Sequence, residues 1–213
     1  MKKINLIKIT FALLGILFIG VGAAFNVANQ LGNDPIGLLY DGILQANGLS
    51  ASSLDLVSNL INLSLIGLLL IIGRRYINIG TVIYILPYGL FVNLGLQLYR
   101  YFTINTLGGR VTMGILGCAL IYLGVSIFIA VEIGLDPFTG IVMVVCDRFQ
   151  FDFKKAKIIF DLCLILIGAL LGGKLGVITF VTALTAGPSI GWLTRRITSL
   201  MNRRKLKLEE CNL

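Results

Sequence analysis

Two short stretches hold the residues best suited to chemistry: Gly32-Asn33-Asp34-Pro35 and Gly134-Leu135-Asp136-Pro137. An Asp-Pro pair is a favoured helix start, because the carboxylate caps the first turn and proline lacks a donor where none is needed. Where such a start faces a cavity it can do more. Its free N–H groups and positive dipole end attract an anion, whereas the carboxylate attracts a cation or a proton. A plain cap and a wall of a binding cavity both remain open readings, and so does the sign of the charge bound.

A second set of polar residues sits inside apolar runs. Asn26, Asn29 and Gln30 close the first run, and Glu132 stands at the position equivalent to Gln30 in a later one. Asn26 and Gln30, four apart, share a helix face. Asn62 and Asp161 lie within two further runs at comparable places, Asp161 about 9 Å along its helix. Ionisable groups at such depth in an apolar segment are functional candidates. The plainer alternative for Asp161 is an i, i+4 pair with Lys157. The candidate substrate- or ion-binding set is therefore Asp34, Pro35, Asp136, Pro137, Asn26, Gln30, Glu132, Asn62 and Asp161, with Asp161 or Glu132 as a proton-coupling carboxylate.

Other chemistries find no footing. The chain has no histidine, and Cys118, Cys146, Cys163 and Cys211 are scattered rather than paired, three as small apolar filler and Cys211 as a tail thiol. No phosphate-cradling Gly-x4-Gly-Lys-Ser/Thr loop and no nucleophile–base pair is recognisable. The expectation is no catalytic residue, no metal, no cofactor and no enzyme activity.

The elements that must position these residues are membrane helices. With 57% apolar and 13% charged residues among 213, and a mean hydropathy of +0.93, the chain departs far from a soluble domain, where about 25% of residues are charged. Six runs are long enough to cross a bilayer, at 8–30, 51–73, 76–98, 111–133, 156–173 and 175–194. The segments 35–47 and 137–149, each behind an Asp-Pro pair, would form helices only about 20 Å long. We expect an all-α polytopic protein of six spans plus two short re-entrant or interfacial helices.

The pattern is duplicated. A shift of 102 positions matches residues 11–35 to 113–137 at Leu14, Gly15, Ile19, Gly22, Ala28, Gly32, Asp34 and Pro35. The helix glycines suit close packing. At the ends of the halves, Thr81 and Gly89 correspond to Thr179 and Gly187 at an offset of 98, as a packing seam or as a second break facing the cavity. The domain reading is a single membrane domain over 1–213, with a first repeat at 8–98, a second at 111–194 and a basic cytoplasmic tail at 195–213. The duplication also argues that the first run is a permanent span and not a cleaved signal peptide, although Met1-Lys2-Lys3 resembles the start of one. With six crossings and a cytoplasmic N-terminus, 15 basic residues fall inside and 3 outside, namely Arg100, Arg110 and Lys174. Eight crossings give the same split, so length decides for six. Three crossings per half invert the second repeat relative to the first.

The duplicated unit, the short Gly/Pro-led helix after each first span, and Tyr76-Ile77-Asn78-Ile79-Gly80-Thr81 opening the third span resemble the YczE/YyaS/YitT family of bacterial membrane proteins. The resemblance covers residues 8–194. It implies a bacterial inner-membrane protein and brings no catalytic mechanism with it; the count of basic residues puts both termini in the cytoplasm.

The function expected is a small secondary transporter or exporter of an unidentified solute, with its site between the repeats. The alternative is a non-enzymatic binding or regulatory subunit acting with a partner. Expected partners are the lipid bilayer, with anionic headgroups at the basic tail, the small-molecule solute, and either a further copy of the chain or a separate subunit. Nucleic acid is not among them.

Overall fold

A computed structural model describes the backbone of residues 6–102, 104 and 106–210, and their side chains apart from those of 51, 79, 86 and 203–210. Lys2, Lys3 and Cys211 lie outside the described residues, as do the side chains of Arg203, Arg204, Lys205 and Lys207. The helices are α1 (Leu6–Asn29), α2 (Pro35–Ala46), α3 (Leu54–Ile72), α4 (Ile79–Tyr101), α5 (Leu107–Ala130), α6 (Pro137–Phe149), α7 (Phe153–Leu170) and α8 (Val177–Glu210). Each expected helix is present, with its ends moved by a few residues except at the C-terminal end of α8.

Five of them, α1, α3, α4, α5 and α8, are long and apolar enough to cross a membrane. The expected fifth span, α7, is 18 residues long but carries Lys154, Lys155, Lys157 and Asp161, so composition does not place it with those five. The helix of the last run does not end at 194. Residues 195–210 contain neither Gly nor Pro and are rich in Arg, Lys, Leu and Met, so α8 continues through the basic tail as one helix of 34 residues. That is about 50 Å of helix, more than the hydrocarbon core requires.

The two short helices stop for local reasons. Beyond α2 the chain turns at Gly48, with φ +62, and α6 is closed by Gln150 in the left-handed region at φ 54. Asp152 then caps α7 by accepting from the Lys155 N–H at 3.1 Å.

The centre of the bundle is a seam between α1 and α5. Gly15 lies against the backbone of Gly124, and Gly22 against that of Gly117. A Cβ added at Gly22 would fall 2.6 Å from the Gly117 carbonyl oxygen, and one at Gly117 2.9 Å from that of Gly22. Without side chains the two helices meet backbone to backbone, the packing role expected of these glycines. Since 15 meets 124 and 22 meets 117, α1 and α5 run antiparallel. Lys8, near the start of α1, accordingly donates to the Val131 carbonyl at the end of α5, at 2.9 Å.

The remaining helices wrap this pair in matching fashion. α4 runs parallel to α1, with Gly20 against Phe91 and Val92 and Gly95 against Val21 and Ala24. α8 runs parallel to α5, Tyr122 bonding Thr185 at 2.8 Å and Ser126 the Ile190 carbonyl at 3.3 Å. The short helices cross over. α2 lies along α7, with Leu38 on Gly168 and Gln45 near Gly172, while α6 lies along α3, with Gly140 on Leu69 and Val144 on Gly73. α3 and α7 fold back from α4 and α8 across short turns and so point in opposite directions. α2 and α6 therefore point in opposite directions as well.

Candidate functional site

Each Asp-Pro break is held by the other half of the chain. The Gly80 N–H at the start of α4 donates to the Ile133 carbonyl at 3.0 Å, and the Thr81 hydroxyl donates to the Leu135 carbonyl at 2.8 Å. At the start of α8 the Ile178 N–H reaches the Leu31 carbonyl at 3.5 Å, and the Gly176 backbone lies against Gly32. Gly32, at φ +95, has no room for a Cβ because Gly176 Cα would be 2.5 Å away. The corresponding residues Thr81 and Thr179 are both fully buried. Their place in the fold is the first turn of a helix that pins the opposite break, and neither breaks its own helix.

So held, both breaks open onto one cavity. Asp34, Pro35 and Gly37 line it from α2, and Asp136, Phe138 and Thr139 from α6. The seam supplies Ile19 and Ala23 of α1 with Ile121, Tyr122 and Val125 of α5. α4 adds Tyr84 and Tyr88, α7 adds Phe153, Lys157, Phe160 and Asp161, and α8 adds Thr182, Ala186 and Ile190. The atom-free space is about 770 Å³, any open mouth included, but the centre of a water molecule can reach only about 60 Å³ of it. A space of that size holds a handful of waters or one small solute.

The two carboxylates at the breaks differ. The Asp136 side chain caps α6, its Oδ1 accepting from the Thr139 N–H at 2.9 Å. Asp34 holds the same position on α2 without a side-chain capping bond, and is half-buried at the cavity. Capping and cavity lining, which stood as alternatives in the sequence, coexist at Asp136. Lys157 and Asp161 form a buried ion pair between Lys157 Nζ and Asp161 Oδ1. Asp161 is 0% exposed and Asp136 5% exposed, and the Oδ2 atom of each lacks a hydrogen-bond partner. A buried carboxylate oxygen left open is costly and calls for an explanation.

The aromatic wall is ordered. Tyr84 and Tyr88 stack at 5.1 Å, and Phe138 meets Phe160 edge-on at 6.3 Å. Behind it, the buried Asn62 donates to the Tyr40 hydroxyl at 3.4 Å and to the Ser58 carbonyl at 2.9 Å.

Of the residues singled out in the sequence, Asp34, Pro35, Asp136 and Asp161 come together at the cavity, with Pro137 buried beside Asp136. Asn62 stands one layer back. Asn26 lies in the seam, its amide 3.6 Å from the Cys118 sulfur. Gln30 and Glu132 lie elsewhere: each follows the last turn of its helix in the left-handed region, at φ 59 and φ 56, with its side chain exposed. Glu132 is therefore not the deep carboxylate its place in an apolar run suggested, because the run outlasts the helix. Asp147, outside the cavity, pairs with Arg75 of another element.

Sequence reasoning missed Lys157 as a cavity residue, together with Tyr84, Tyr88, Tyr122 and Thr182. A signal was present. The offset of 98 that relates Thr81 to Thr179 also relates Tyr84 to Thr182 and Tyr88 to Ala186, one face of each fourth helix.

A family of unknown function, DUF6198, matches residues 6–195. The chain is 25% identical over 193 residues to an uncharacterized protein of Haemophilus influenzae, across 90% of this chain and 85% of that one. It is 20% identical over 205 residues to the uncharacterized membrane protein YczE of Bacillus subtilis, across 95% of this chain and 92% of that one. The kinship with YczE is the one that the duplicated unit and the 76–81 stretch led us to expect. No solved structure matches the chain.

Proposed function

The chain belongs to DUF6198, a family of unknown function, and for this multi-pass membrane protein we propose a small secondary transporter whose solute site is the cavity between the two Asp-Pro breaks. One observation carries the reading: two helix starts from different halves of the chain, pointing opposite ways, open onto a single buried cavity. Half-helices that begin at the centre of a bundle, at corresponding places in two halves, are the arrangement by which inverted-repeat transporters hold a solute.

The packing supports inverted repeats. Positions related by the 102-residue shift exchange partners across the seam, Gly15 with Gly124 and Gly22 with Gly117, as a two-fold axis requires. The pinning bonds from Gly80 to Ile133 and from Ile178 to Leu31 exchange in the same way. Antiparallel α1 and α5 fit an odd number of crossings per half, as three would give. We place the protein in the bacterial inner membrane with both termini in the cytoplasm, on the strength of its basic residues. Alternating access then consists of rocking one half against the other about the glycine seam, exposing the same carboxylates first to one side and then to the other.

Proteoliposomes holding only the purified chain test this. Under an imposed proton gradient or voltage they should accumulate one member of a panel of labelled small cations, anions and zwitterions. Binding without any flux would instead identify a binding subunit. In a cysteine-free background, single cysteines at Gln45 and Phe149, the far ends of α2 and α6, should label from opposite faces. Labelling from the same face would reject the inverted repeat.

A further inference from the structure

Resting on the transporter reading, we propose that the solute is a small organic cation, an ammonium group borne on an apolar body. Three carboxylates line the cavity, Asp34, Asp136 and Asp161, against the one ammonium of Lys157, which is already engaged at Asp161 Oδ1. The open atoms are acceptors. Asp136 Oδ2 and Asp161 Oδ2 are buried with no donor, and an ammonium brings N–H donors and no acceptor. An anion meets the opposite problem: it would face three carboxylates, while the Thr139 N–H at the start of α6 is already taken by Asp136 Oδ1.

A bare metal ion fits no better. It needs several oxygens within about 2.6 Å, and among the described residues no group of three or more His, Cys, Asp and Glu side chains can hold one. Beside the carboxylates the lining is largely carbon, from Ile121, Val142, Phe138 and Phe160, and Tyr84 and Tyr88 add aromatic rings, a kind of group that attracts cations. A solute with a charged end and a hydrocarbon end satisfies both linings. The space open to water limits the body to about one aromatic ring or a few carbons.

Isothermal titration of the purified full chain in detergent, at one pH and ionic strength, tests the class. The probes are butylammonium and phenethylammonium, the neutral butanol and phenethyl alcohol, and the anions butyrate and phenylacetate. Both ammonium ions should bind, and the alcohols and carboxylates should not. Asp136→Asn retains the oxygen that caps α6, so its melting temperature should match that of the parent while ammonium affinity falls about tenfold or more. Asp147→Asn, outside the cavity, should leave binding unchanged. Absence of ammonium binding, or binding indifferent to Asp136→Asn, overturns the proposal. Carboxylate binding that Asp136→Asn alters refutes the cation class and keeps the transporter site. Ammonium binding without flux of the same ammonium through proteoliposomes keeps the class and refutes the transporter.

Discussion

Replacing Lys157 with Met probes whether the cavity is dry. Lys157 is 8% exposed and supplies the one partner of Asp161, whose second oxygen already has none. Met fills the space of the lysine stem and removes only the charge. In a water-poor interior, breaking an ion pair from one side leaves an uncompensated buried charge, at a cost of about 3–5 kcal/mol. For a chain of this size each kcal/mol lowers the melting temperature by about 2–4 °C, so the variant should melt on the order of 10 °C below the parent. Asp161→Leu alone should cost a comparable amount by stranding Lys157. The double variant Lys157→Met, Asp161→Leu removes both charges, and should recover to within about 1 kcal/mol of the parent or better. Thermal unfolding of all four proteins in one detergent, followed by circular dichroism, closes the cycle. A single variant within about 2 °C of the parent would mean that water screens the pair, as at a surface where such pairs are worth about 0–1 kcal/mol, and would refute a closed cavity. Additive losses in the double variant would show that the side chains matter for packing and not as a pair.

Three further outcomes follow from the same geometry. Gly22→Val places a Cβ 2.6 Å from the Gly117 carbonyl oxygen and should abolish the monodisperse peak in size-exclusion chromatography, whereas Gly67→Ala, with nothing within 4 Å, should raise stability by up to about 1 kcal/mol in thermal unfolding. Thr81→Val keeps the shape but loses the donor to the Leu135 carbonyl; it should cost about 1–3 kcal/mol and quicken hydrogen exchange at residues 133–136 in mass spectrometry. Glu132→Gly relieves a left-handed φ of 56, and should raise the melting point by a few degrees, about 1 kcal/mol, with flux intact; loss of flux would return Glu132 to the site.

Much of the fold was legible because its causes are local. Apolar runs of sufficient length become helices wherever the backbone must satisfy itself, and Asp-Pro starts a helix by the geometry of two adjacent residues. The glycines spaced seven apart in α1 and α5 announced a close seam without naming the facing residue. The same locality explains the errors. An apolar run does not record where its helix ends, so in the sequence Gln30 and Glu132 look like part of their spans, whereas each is an exposed left-handed terminator. Helical continuity through 195–210 is likewise hidden by a change from apolar to basic composition, to which backbone hydrogen bonding is indifferent.

What the sequence determined by itself is the inventory: apolar helices, two Asp-Pro starts at matching places, and a few polar and charged residues set within apolar runs. What only the tertiary structure decided is the meeting of those parts. Asp34 and Asp136 are 102 residues apart, and they share a cavity because the first turns of α4 and α8 cross over to pin the opposite breaks. Lys157, Tyr84 and Tyr88 join them through the direction of whole helices, which is set by which glycine faces which across the seam. A helix face can be read from its own residues, but what lies opposite that face depends on every other helix in the bundle.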